Sequence, residues 1–317
     1  MTNKDEKKGR LLVIAGPTAV GKTGLAVRLG EALGGEVVSA DSRQIYKGMD
    51  IGTAKPTPEE RARTFHHLID VREPDDPLSL AEYQALAYRA IDALLARGTL
   101  PMLVGGTGQY VRAVVEGWGI PAVPPDEALR AELYAEAGAS GHEALHARLR
   151  ALDPVAAGRI DPRNVRRVVR ALEVCLVAGR PISELQRKSP PPYHILQIGL
   201  TRPRPALYRR VDERVDAMIA AGLVDEVRRL VQAGYDWRLP AMSSLGYREI
   251  GAHLRDEISL EEAVQRIKRE TRRFIRHQHN WFNPSDPHIC WFDLEVTSLP
   301  EVQAAVTDFS PPPRLVA

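Results

Sequence analysis

The residues best suited to chemistry lie close to the N-terminus, in the segment Gly16-Pro17-Thr18-Ala19-Val20-Gly21-Lys22-Thr23. They fit the pattern G-x-x-x-x-G-K-[ST], in which backbone N–H groups cradle two phosphates and the lysine reaches the more distal one. The Thr23 hydroxyl can ligate Mg²⁺, which makes this ion the predicted cofactor. A glycine-rich turn without a ligand is the alternative, but it does not account for Lys22 and Thr23. The pattern leaves open which diphosphate is bound.

The elements around this segment are predicted from hydrophobic patterning. Residues 11–15 form a short apolar run with branched side chains, which indicates a buried strand. Apolar residues then recur at helical spacing over residues 25–33. The loop therefore lies between a strand and the N-terminus of a helix, as a phosphate-binding loop requires. This order predicts an α/β fold with a parallel sheet core similar to that of P-loop NTPases.

A candidate acid follows the second predicted strand, which covers residues 36–40 and ends at Asp41. Ligands bind outside the carboxyl ends of the strands in open α/β sheets, so we expect Asp41 to face the same crevice as Lys22. Capping of the next helix or turn is the alternative role for this carboxylate. Residues 47–56 follow with two glycines and no clear periodicity, and we expect an ordered functional loop there.

A second glycine-rich turn, Gly105-Gly106-Thr107-Gly108, follows the apolar strand predicted at residues 100–104. Thr107 can donate or accept a hydrogen bond in the crevice. A tight turn that needs glycine for its backbone is an equally good interpretation. The strand does not end in an acid, as the corresponding strand of many ATPases does, and this counts against an ordinary ATPase.

Two adjacent histidines, His66 and His67, lie in a third strand predicted at residues 65–71. Neighbouring strand residues point to opposite faces, and no third ligand has a suitable spacing. We therefore do not predict a metal site there. The next element is a strongly periodic helix over residues 79–97, where Ser79 and Glu82 have the spacing of a capping box.

Composition indicates a globular protein. The chain has 317 residues, 26% of them charged, and a formal net charge of +2, so nucleic-acid binding would depend on local clusters of basic residues. Neither Cys175 nor Cys290 suggests a disulfide or a zinc site. No apolar stretch is long enough to cross a bilayer, and the charged first residues do not form a signal peptide. We expect a cytoplasmic monomer without membrane association.

The composition changes along the chain and predicts three segments. Residues 1–120 and 193–317 carry the α/β core, the latter with C-terminal helices. Residues 121–192 are bounded by prolines, are rich in Ala, Arg and Glu, and lack strand-like runs, which indicates a mostly helical insertion domain. Arginines in it are spaced to share a helical face that meets a phosphate backbone, with a solvated basic face as the alternative. They are Arg159, Arg163, Arg166, Arg167 and Arg170.

Two further helices carry basic residues in the C-terminal segment. The first begins near residue 207 and bears Arg209, Arg210 and Arg214, one of which is suited to clamp a diphosphate with its guanidinium fork. The second is predicted over residues 260–282, where many basic residues and an aromatic end favour a nucleic-acid surface. The proline-rich tail at residues 310–313 is expected to be loose.

The sequence resembles the tRNA dimethylallyltransferase family, also called tRNA isopentenyltransferases or IPP transferases. The resemblance spans most of the chain and depends on an ordered series of motifs. They are residues 16–23, residues 41–56, Gly105-Gly106-Thr107-Gly108, Arg170-Ala171-Leu172-Glu173-Val174 and Gly246-Tyr247-Arg248.

Membership in this family implies an activity and a ligand for the loop. A dimethylallyl group would move from dimethylallyl diphosphate to the N6 amine of adenosine 37, immediately 3′ of the anticodon, in tRNAs that read codons starting with U. The products would be i6A and free diphosphate. The loop would hold the diphosphate of the prenyl donor, which also explains the missing acid of an ATPase.

The resemblance implies roles for individual residues. Asp41 is the candidate general base, because the adenine amine is a poor nucleophile and benefits from a proton acceptor. Residues 16–23, with Lys22 and magnesium on Thr23, would neutralise the leaving diphosphate together with Arg210. Thr18 would line the channel between donor and base, and it completes the predicted catalytic set with Asp41 and Arg210.

The nucleotide must be flipped out of its loop to reach such a channel, at a cost that contacts to the tRNA must offset. These contacts are predicted for Asp41, Ser42, Arg43, Gln44, Thr107, Arg130, Arg166, Arg167, Val168, Val169, Arg170, Ser244, Leu245, Gly246, Tyr247, Arg248 and Glu249.

Two segments depart from the family pattern. Gln109 replaces a residue that is commonly apolar, and residues 276–282 match the basic, Gln-containing, Trp-Phe ending only in part. Both differences concern local tRNA contacts rather than the core chemistry.

Two other functions are compatible with the phosphate-binding loop. A nucleotide or small-molecule kinase would use the same loop and Asp41 to transfer a phosphoryl group. A P-loop RNA-binding module would use the loop and the basic helices and would not require Asp41.

Overall fold

The computed structural model describes residues 8–309, which divide into two compact units. The core unit comprises residues 8–115 and 192–309, and the helical unit comprises residues 116–191. The sequence predicts that the insertion opens at Pro121, whereas the helical unit begins five residues earlier, at Glu116. Its two ends are joined there, because Trp118 and Lys188 form an antiparallel β-bridge and the Ser189 N–H donates to the Gly117 carbonyl at 2.8 Å.

The core unit is built on one sheet of six parallel strands. The strands are β1 (Gly9–Ala15), β2 (Gly35–Ser39), β3 (His66–His67), β4 (Leu100–Gly105), β5 (Tyr193–Thr201) and β6 (Ile289–Asp293). Their order across the sheet is β3-β2-β4-β1-β5-β6. β1 and β4 are therefore central strands, which is why both read as nearly continuous apolar runs.

Helices connect these strands and form the helical unit. The first four are α1 (Lys22–Leu33), α2 (Pro58–Arg63), α3 (Leu80–Ala96) and α4 (Gly108–Glu116). The helical unit contains α5 (Glu127–Ser140), α6 (His142–Leu152), α7 (Pro154–Ala157), α8 (Val165–Ala178) and α9 (Ile182–Leu185). The core unit resumes after β5 with α10 (Arg204–Ala220), α11 (Leu223–Gln232), α12 (Tyr247–Leu254), α13 (Leu260–Gln278) and α14 (Leu299–Phe309).

The alternation of side chains along β1 divides the core unit into two apolar layers. Leu12 and Ile14 belong to the layer that includes buried residues of α1, α10, α11, α12 and α13. Leu11 and Val13 belong to the opposite layer, with buried residues of α3 and α4. Helices therefore cover both faces of the sheet, and the predicted α/β class is confirmed. The helical unit has a separate core, with Leu133, Leu149 and Leu172 buried in it.

Most predicted elements are confirmed, but the third strand is shorter than predicted. β3 contains only His66 and His67, because Leu68 and Asp70 have φ angles of 62° and 57° and leave the extended conformation. The capping box of α3 is present, with the Ser79 hydroxyl accepting the Glu82 N–H at 3.2 Å.

The arginine-rich helix also differs from its prediction. α8 begins at Val165, and the Asn164 side chain caps it by accepting the Arg167 N–H. Arg159 and Arg163 precede this helix, so only part of the predicted set lies in it. The arginines within α8 are Arg166, Arg167 and Arg170. α13 ends at Gln278 rather than near residue 282.

The tail at residues 310–313, which is predicted to be loose, lies outside the described residues. No helix among residues 8–309 has the length and apolar character needed to span a membrane.

Candidate active site

The loop between β1 and α1 has the backbone of a phosphate-binding turn. Gly21 caps α1 with a φ angle of 116°, which favours glycine. A Cβ atom on Gly16 would lie 2.6 Å from the Leu200 carbonyl oxygen, so this position also requires glycine. No side chain caps the first turn of α1, and its backbone N–H groups are directed at the loop. The arrangement suits an anion at the N-terminus of α1.

Lys22 lies within this turn. Its ammonium group donates to the carbonyl oxygens of Gly16 at 3.0 Å and Pro17 at 2.9 Å. Desolvation lowers the pKa of Lys22 to about 8, and although the Asp41 carboxylate raises it, the Arg214 guanidinium lowers it further. Lys22 is thus a cation whose charge depends on pH near neutrality, with an acid on one side and an arginine on another.

Arginines surround the same loop. Arg210, which is predicted to contact the diphosphate, donates from Nε to the Ala19 carbonyl of the loop at 2.8 Å. Arg202 Nε donates to the Val20 carbonyl at 3.1 Å, and this residue was not predicted from the sequence. Burial lowers the pKa of Arg214, and the nearby Arg210 lowers it further, which indicates a concentration of positive charge. Arg202 could have been found from its position directly after the carboxyl end of β5.

Asp41 forms the turn after β2. Its Oδ1 atom accepts the backbone N–H groups of Arg43 at 2.8 Å and Gln44 at 3.4 Å. The turn-capping role that the sequence leaves as an alternative is therefore present in the structure. It occupies one carboxylate oxygen, and the other receives no hydrogen bond from residues 8–309.

Thr107 joins the turn after β4 to the turn after β2. The Thr107 hydroxyl accepts the Ser42 N–H at 3.1 Å, and the Thr107 N–H donates to the Ala40 carbonyl at 3.2 Å. A Cβ atom on Gly105 would collide with the Ala40 carbonyl, and one on Gly108 would collide with Trp281. The backbone interpretation of this glycine-rich turn is therefore confirmed. Thr107 contacts the segment that bears Asp41, and its role toward a ligand in the crevice stays a prediction.

Gln278 was missed by the sequence analysis as a site residue. Its Oε1 atom accepts the Thr18 N–H at 2.9 Å, and its Nε2 atom donates to the Gly106 carbonyl at 3.0 Å. The residue is only 4% exposed, although it lies in the basic helix α13. A signal was available, because Gln278 continues the helical spacing of the buried residues Ala263, Ile267 and Ile275.

The loop at residues 47–56 is ordered by a buried acid, Glu226, which the sequence analysis also missed. Its carboxylate accepts the N–H groups of Asp50, Ile51 and Gly52 at 2.8 to 3.1 Å. The same carboxylate accepts the Tyr247 hydroxyl at 2.7 Å. Burial raises the pKa of Tyr247 well above its ordinary value, and the Glu226 charge raises it further. Glu226 therefore links this loop to α12.

Gln44 connects the loop at residues 47–56 to the Asp41 turn. The Gln44 Nε2 atom donates to the carbonyl oxygens of Thr53 at 3.4 Å and Ala54 at 3.1 Å. Lys55, buried nearby, forms ion pairs with Asp50 and Asp70. Gln44 is thus a structural link in this conformation as well as a predicted tRNA contact. Arg43 is also engaged, donating to the Pro240 carbonyl at 2.9 Å.

The helical unit corrects several predicted tRNA contacts. Val168 and Val169 are core residues of this unit, so their side chains are not RNA contacts. Arg130 and Arg170 form ion pairs with the fully buried Glu173 at 2.9 and 2.5 Å. Burial raises the pKa of Glu173, but hydrogen bonds from the Asp126 N–H, Arg170 and Arg130 outweigh it and leave this pKa lowered. Both arginines therefore stabilise the helical unit, and their contact with tRNA stays a prediction.

Arg166 and Arg167 behave differently from this pair. Both side chains are exposed at the start of α8, and neither forms an ion pair with another described residue. They remain the predicted RNA contacts of the helical unit.

The patch at residues 244–249 is also mostly buried. Ser244, Gly246, Tyr247 and Glu249 are buried, and Leu245 is half-buried. The Glu249 carboxylate accepts the Gly246 N–H at 2.9 Å and pairs with Arg248. Of the residues predicted to contact tRNA in this patch, Arg248 is therefore the one whose side chain is exposed, and the contact itself stays a prediction.

The residues present fit a magnesium ion bound together with a diphosphate. The Thr23 hydroxyl is half-buried in the first turn of α1 and forms no hydrogen bond with residues 8–309. It is a hard oxygen ligand next to Lys22, as Mg²⁺ prefers. Among residues 8–309 no group of three or more His, Cys, Asp or Glu side chains is arranged to hold a metal ion.

The fold and this site define a class, the α/β proteins that bind a phosphorylated ligand at the carboxyl edge of a parallel sheet. The model of the IPP transferase family matches residues 44–285. The chain belongs to the IPP transferase family. It is 53% identical over 296 residues to a tRNA dimethylallyltransferase of Roseiflexus sp. (strain RS-1), covering 93% of this chain and 97% of that protein. A relative of the same name from Roseiflexus castenholzii is 57% identical over 272 residues, covering 86% and 89%.

Two solved structures match this chain over most of its length. The full-length tRNA isopentenylpyrophosphate transferase from Bacillus halodurans superposes with a TM-score of 0.70 at 41% identity, covering 94% of this chain and 96% of that chain. A eukaryotic dimethylallyltransferase acting on tRNA shares the fold, with a TM-score of 0.79 at 24% identity and coverages of 96% and 80%.

Proposed function

We propose that this protein transfers a dimethylallyl group from dimethylallyl diphosphate to the N6 amine of adenosine 37 in tRNA. The observation that carries the proposal is the placement of Lys22 and Asp41 at two turns on the same edge of the parallel sheet, in a chain of the IPP transferase family. One turn suits a diphosphate and the other presents a carboxylate. Substrates are tRNAs that read codons starting with U, and the product is i6A.

The donor side of the reaction depends on positive charge around the loop. As the bond between the donor oxygen and the prenyl carbon breaks, its electron pair goes to the diphosphate. The Lys22 ammonium, the N–H groups at the start of α1 and the Arg210 guanidinium stabilise this growing charge. When bound at Thr23, Mg²⁺ supplies further electrostatic stabilisation of the diphosphate.

The acceptor side depends on Asp41. Adenine N6 is a poor nucleophile, because its lone pair is delocalised into the ring. When N6 attacks the prenyl carbon, the nitrogen becomes positively charged and must lose a proton. Since Oδ1 is occupied by the turn, Oδ2 is the atom that receives this proton. Thr18 lies in the diphosphate loop and Thr107 contacts the Asp41 turn, so we place both along the path between donor and base.

Contacts to the tRNA backbone hold the flipped-out nucleotide. Arg166 and Arg167 of the helical unit and Arg248 of the core unit are exposed cations and supply part of this binding. The exposed basic residues of α13, among them Arg269, Arg273 and Arg276, supply another part. The enzyme acts on tRNA in the cytoplasm. It acts as a monomer, and light scattering of the purified chain tests this oligomeric state.

An incorporation assay tests the proposal. Full-length protein, Mg²⁺, radiolabelled dimethylallyl diphosphate and unmodified tRNA are incubated together, and label in the tRNA is counted. We expect label at adenosine 37, and none when that adenosine is replaced by guanosine. Absence of label, with transfer of ATP phosphate to a small acceptor, would support the kinase alternative instead. Tight tRNA binding with neither reaction would support a non-catalytic RNA-binding module.

A further inference from the structure

The side chain of Gln278 lies between two loops of the core unit. It is the last residue of α13 and is almost fully buried. Its amide oxygen accepts the N–H of Thr18, in the diphosphate loop, and its amide nitrogen donates to the carbonyl of Gly106, in the turn after β4. One side chain therefore connects the ends of β1 and β4.

The two loop groups impose a strict chemical requirement on this side chain. Thr18 offers a donor and Gly106 offers an acceptor, and a primary amide satisfies both at once. A carboxylate of the same length would place an acceptor against the Gly106 carbonyl, and a thioether would satisfy neither group. Among side chains of this length, glutamine matches the pair.

Packing around the amide holds it in place. A Cβ atom on Gly106 would lie 2.6 Å from Gln278 Nε2, so the amide fills the space that a side chain would take. Directly after α13, Trp281 packs against Gly108, and its carbonyl accepts a hydrogen bond from Arg112 at 2.8 Å. The end of α13 is thus fixed on the turn after β4.

The connection reaches residues on both sides of the proposed reaction. Thr18 lies in the loop that holds the donor, while Gly106 precedes Thr107, whose hydroxyl accepts the N–H of Ser42 beside Asp41. One path from the loop to the Asp41 turn therefore runs through Gln278, Gly106 and Thr107, in addition to the pairing of β4 with β1 and β2 in the sheet.

We propose that Gln278 is a positioning residue that sets the distance between the donor loop and the turn that carries Asp41. The inference rests on the proposed function. Gln278 acts through Thr18 and Thr107 and not through contact with a reacting atom. Its loss should leave Lys22 and Arg210 able to bind diphosphate while misaligning the prenyl carbon and the adenine amine.

Steady-state kinetics of Gln278→Met test this role, because methionine keeps the length but makes neither hydrogen bond. With saturating tRNA, we expect kcat to fall about 10- to 100-fold, while KM for dimethylallyl diphosphate stays within about threefold. Gln303→Met, on the exposed face of α14, is the matched control and should keep wild-type kcat. An unchanged kcat in Gln278→Met, or a rise in KM alone, overturns the inference.

If Gln278→Met fails to fold, Gly106→Ala tests the same connection from its other partner, and a double-mutant cycle extends the test. Gly106→Ala should lower kcat in the wild type, because the new methyl group displaces the amide. In the Gln278→Ala background the same change should have a smaller effect, because the amide is gone and the next contact of the methyl group is the Gly16 carbonyl oxygen at 3.3 Å. Equal losses in both backgrounds overturn the inference. If wild-type protein prenylates tRNA and these variants match it, the inference alone fails, whereas an inactive wild type refutes the proposed function and the inference with it.

Discussion

Asp41 Oδ1 accepts the backbone N–H of Arg43 at 2.8 Å, and this contact commits one oxygen of the carboxylate to the turn after β2. The other oxygen, Oδ2, has no hydrogen-bond donor among residues 8–309. The carboxylate is thus held in one orientation, and its free oxygen is the proton acceptor in the proposed reaction. Oδ1 thus has a structural role in the turn, and Oδ2 has the proposed chemical role. Substitutions that keep one oxygen and change the other can therefore separate the two roles.

Asp41→Asn should remove the base and keep the turn. The asparagine oxygen can still accept the Arg43 N–H, whereas its amide nitrogen cannot take a proton. We expect single-turnover prenyl transfer to slow about 10²- to 10⁴-fold, with the melting temperature close to that of the wild type. Asp41→Ala should be equally slow and also less stable, because it loses the turn contact. A wild-type rate in Asp41→Asn would exclude the general-base role.

The lowered pKa of Lys22 predicts a pH dependence of donor binding. The ammonium is charged below pH about 8 and neutral above it, and the charged form attracts the diphosphate. kcat/KM for dimethylallyl diphosphate should therefore decrease as pH rises through about 8. Lys22→Arg keeps its charge throughout this range, so its residual kcat/KM should be flat. If kcat/KM of Lys22→Arg shows the same decrease with rising pH, the titrating group is not Lys22.

Removal of the Glu226 charge should destabilise the core unit. Its carboxylate accepts three backbone N–H groups and the Tyr247 hydroxyl, and the amide of a substituted glutamine would turn an NH₂ group toward these donors. We expect Glu226→Gln to lower the free energy of unfolding by about 1–3 kcal/mol, measured by urea denaturation. Glu213→Gln, an exposed change on α10, should have no measurable effect. Equal stability of the two variants would refute this account of the loop.

The arginines of the helical unit should fall into two groups. Arg166→Gln and Arg167→Gln should each weaken tRNA binding and reduce the salt dependence, by about one unit in the slope of log affinity against log salt. Their melting temperatures should not change, because both side chains are exposed. Filter binding at several salt concentrations measures the slope. An unchanged slope would mean that α8 does not contact the phosphate backbone.

Arg130→Gln should instead act on stability. It removes one of two cations from the buried Glu173, so we expect a loss of about 1–3 kcal/mol in the free energy of unfolding. The pKa of Glu173 is lowered in the folded protein, so its ion pairs contribute their full stabilisation at pH values above 4.5, the ordinary pKa of a glutamate. This stabilisation is lost as the pH falls through the folded-state pKa. The difference between wild type and Arg130→Gln should therefore shrink in acid. A constant difference across this range would contradict the assignment.

The sequence predicts the parts of the site that depend on local patterns. The strand, the glycines and Lys22 lie within one short segment, and the end of β2 marks Asp41, so periodicity and strand-end reasoning suffice. Gln278, Glu226 and Arg202 contact residues that are 260, 175 and 182 positions away, and no local pattern carries that information. Charge patterns have a similar limit, since helical spacing does not show that buried Glu173 pairs with Arg130 and Arg170.

The measurement that tests the account most directly is the stoichiometry of diphosphate release. Inorganic diphosphate and prenylated adenosine are quantified in the same reaction, with and without unmodified tRNA. The account predicts one diphosphate for each modified adenosine, and no diphosphate release in the absence of tRNA. Release of diphosphate without tRNA modification, or phosphate transfer from ATP with no prenyl group in the tRNA, would contradict it.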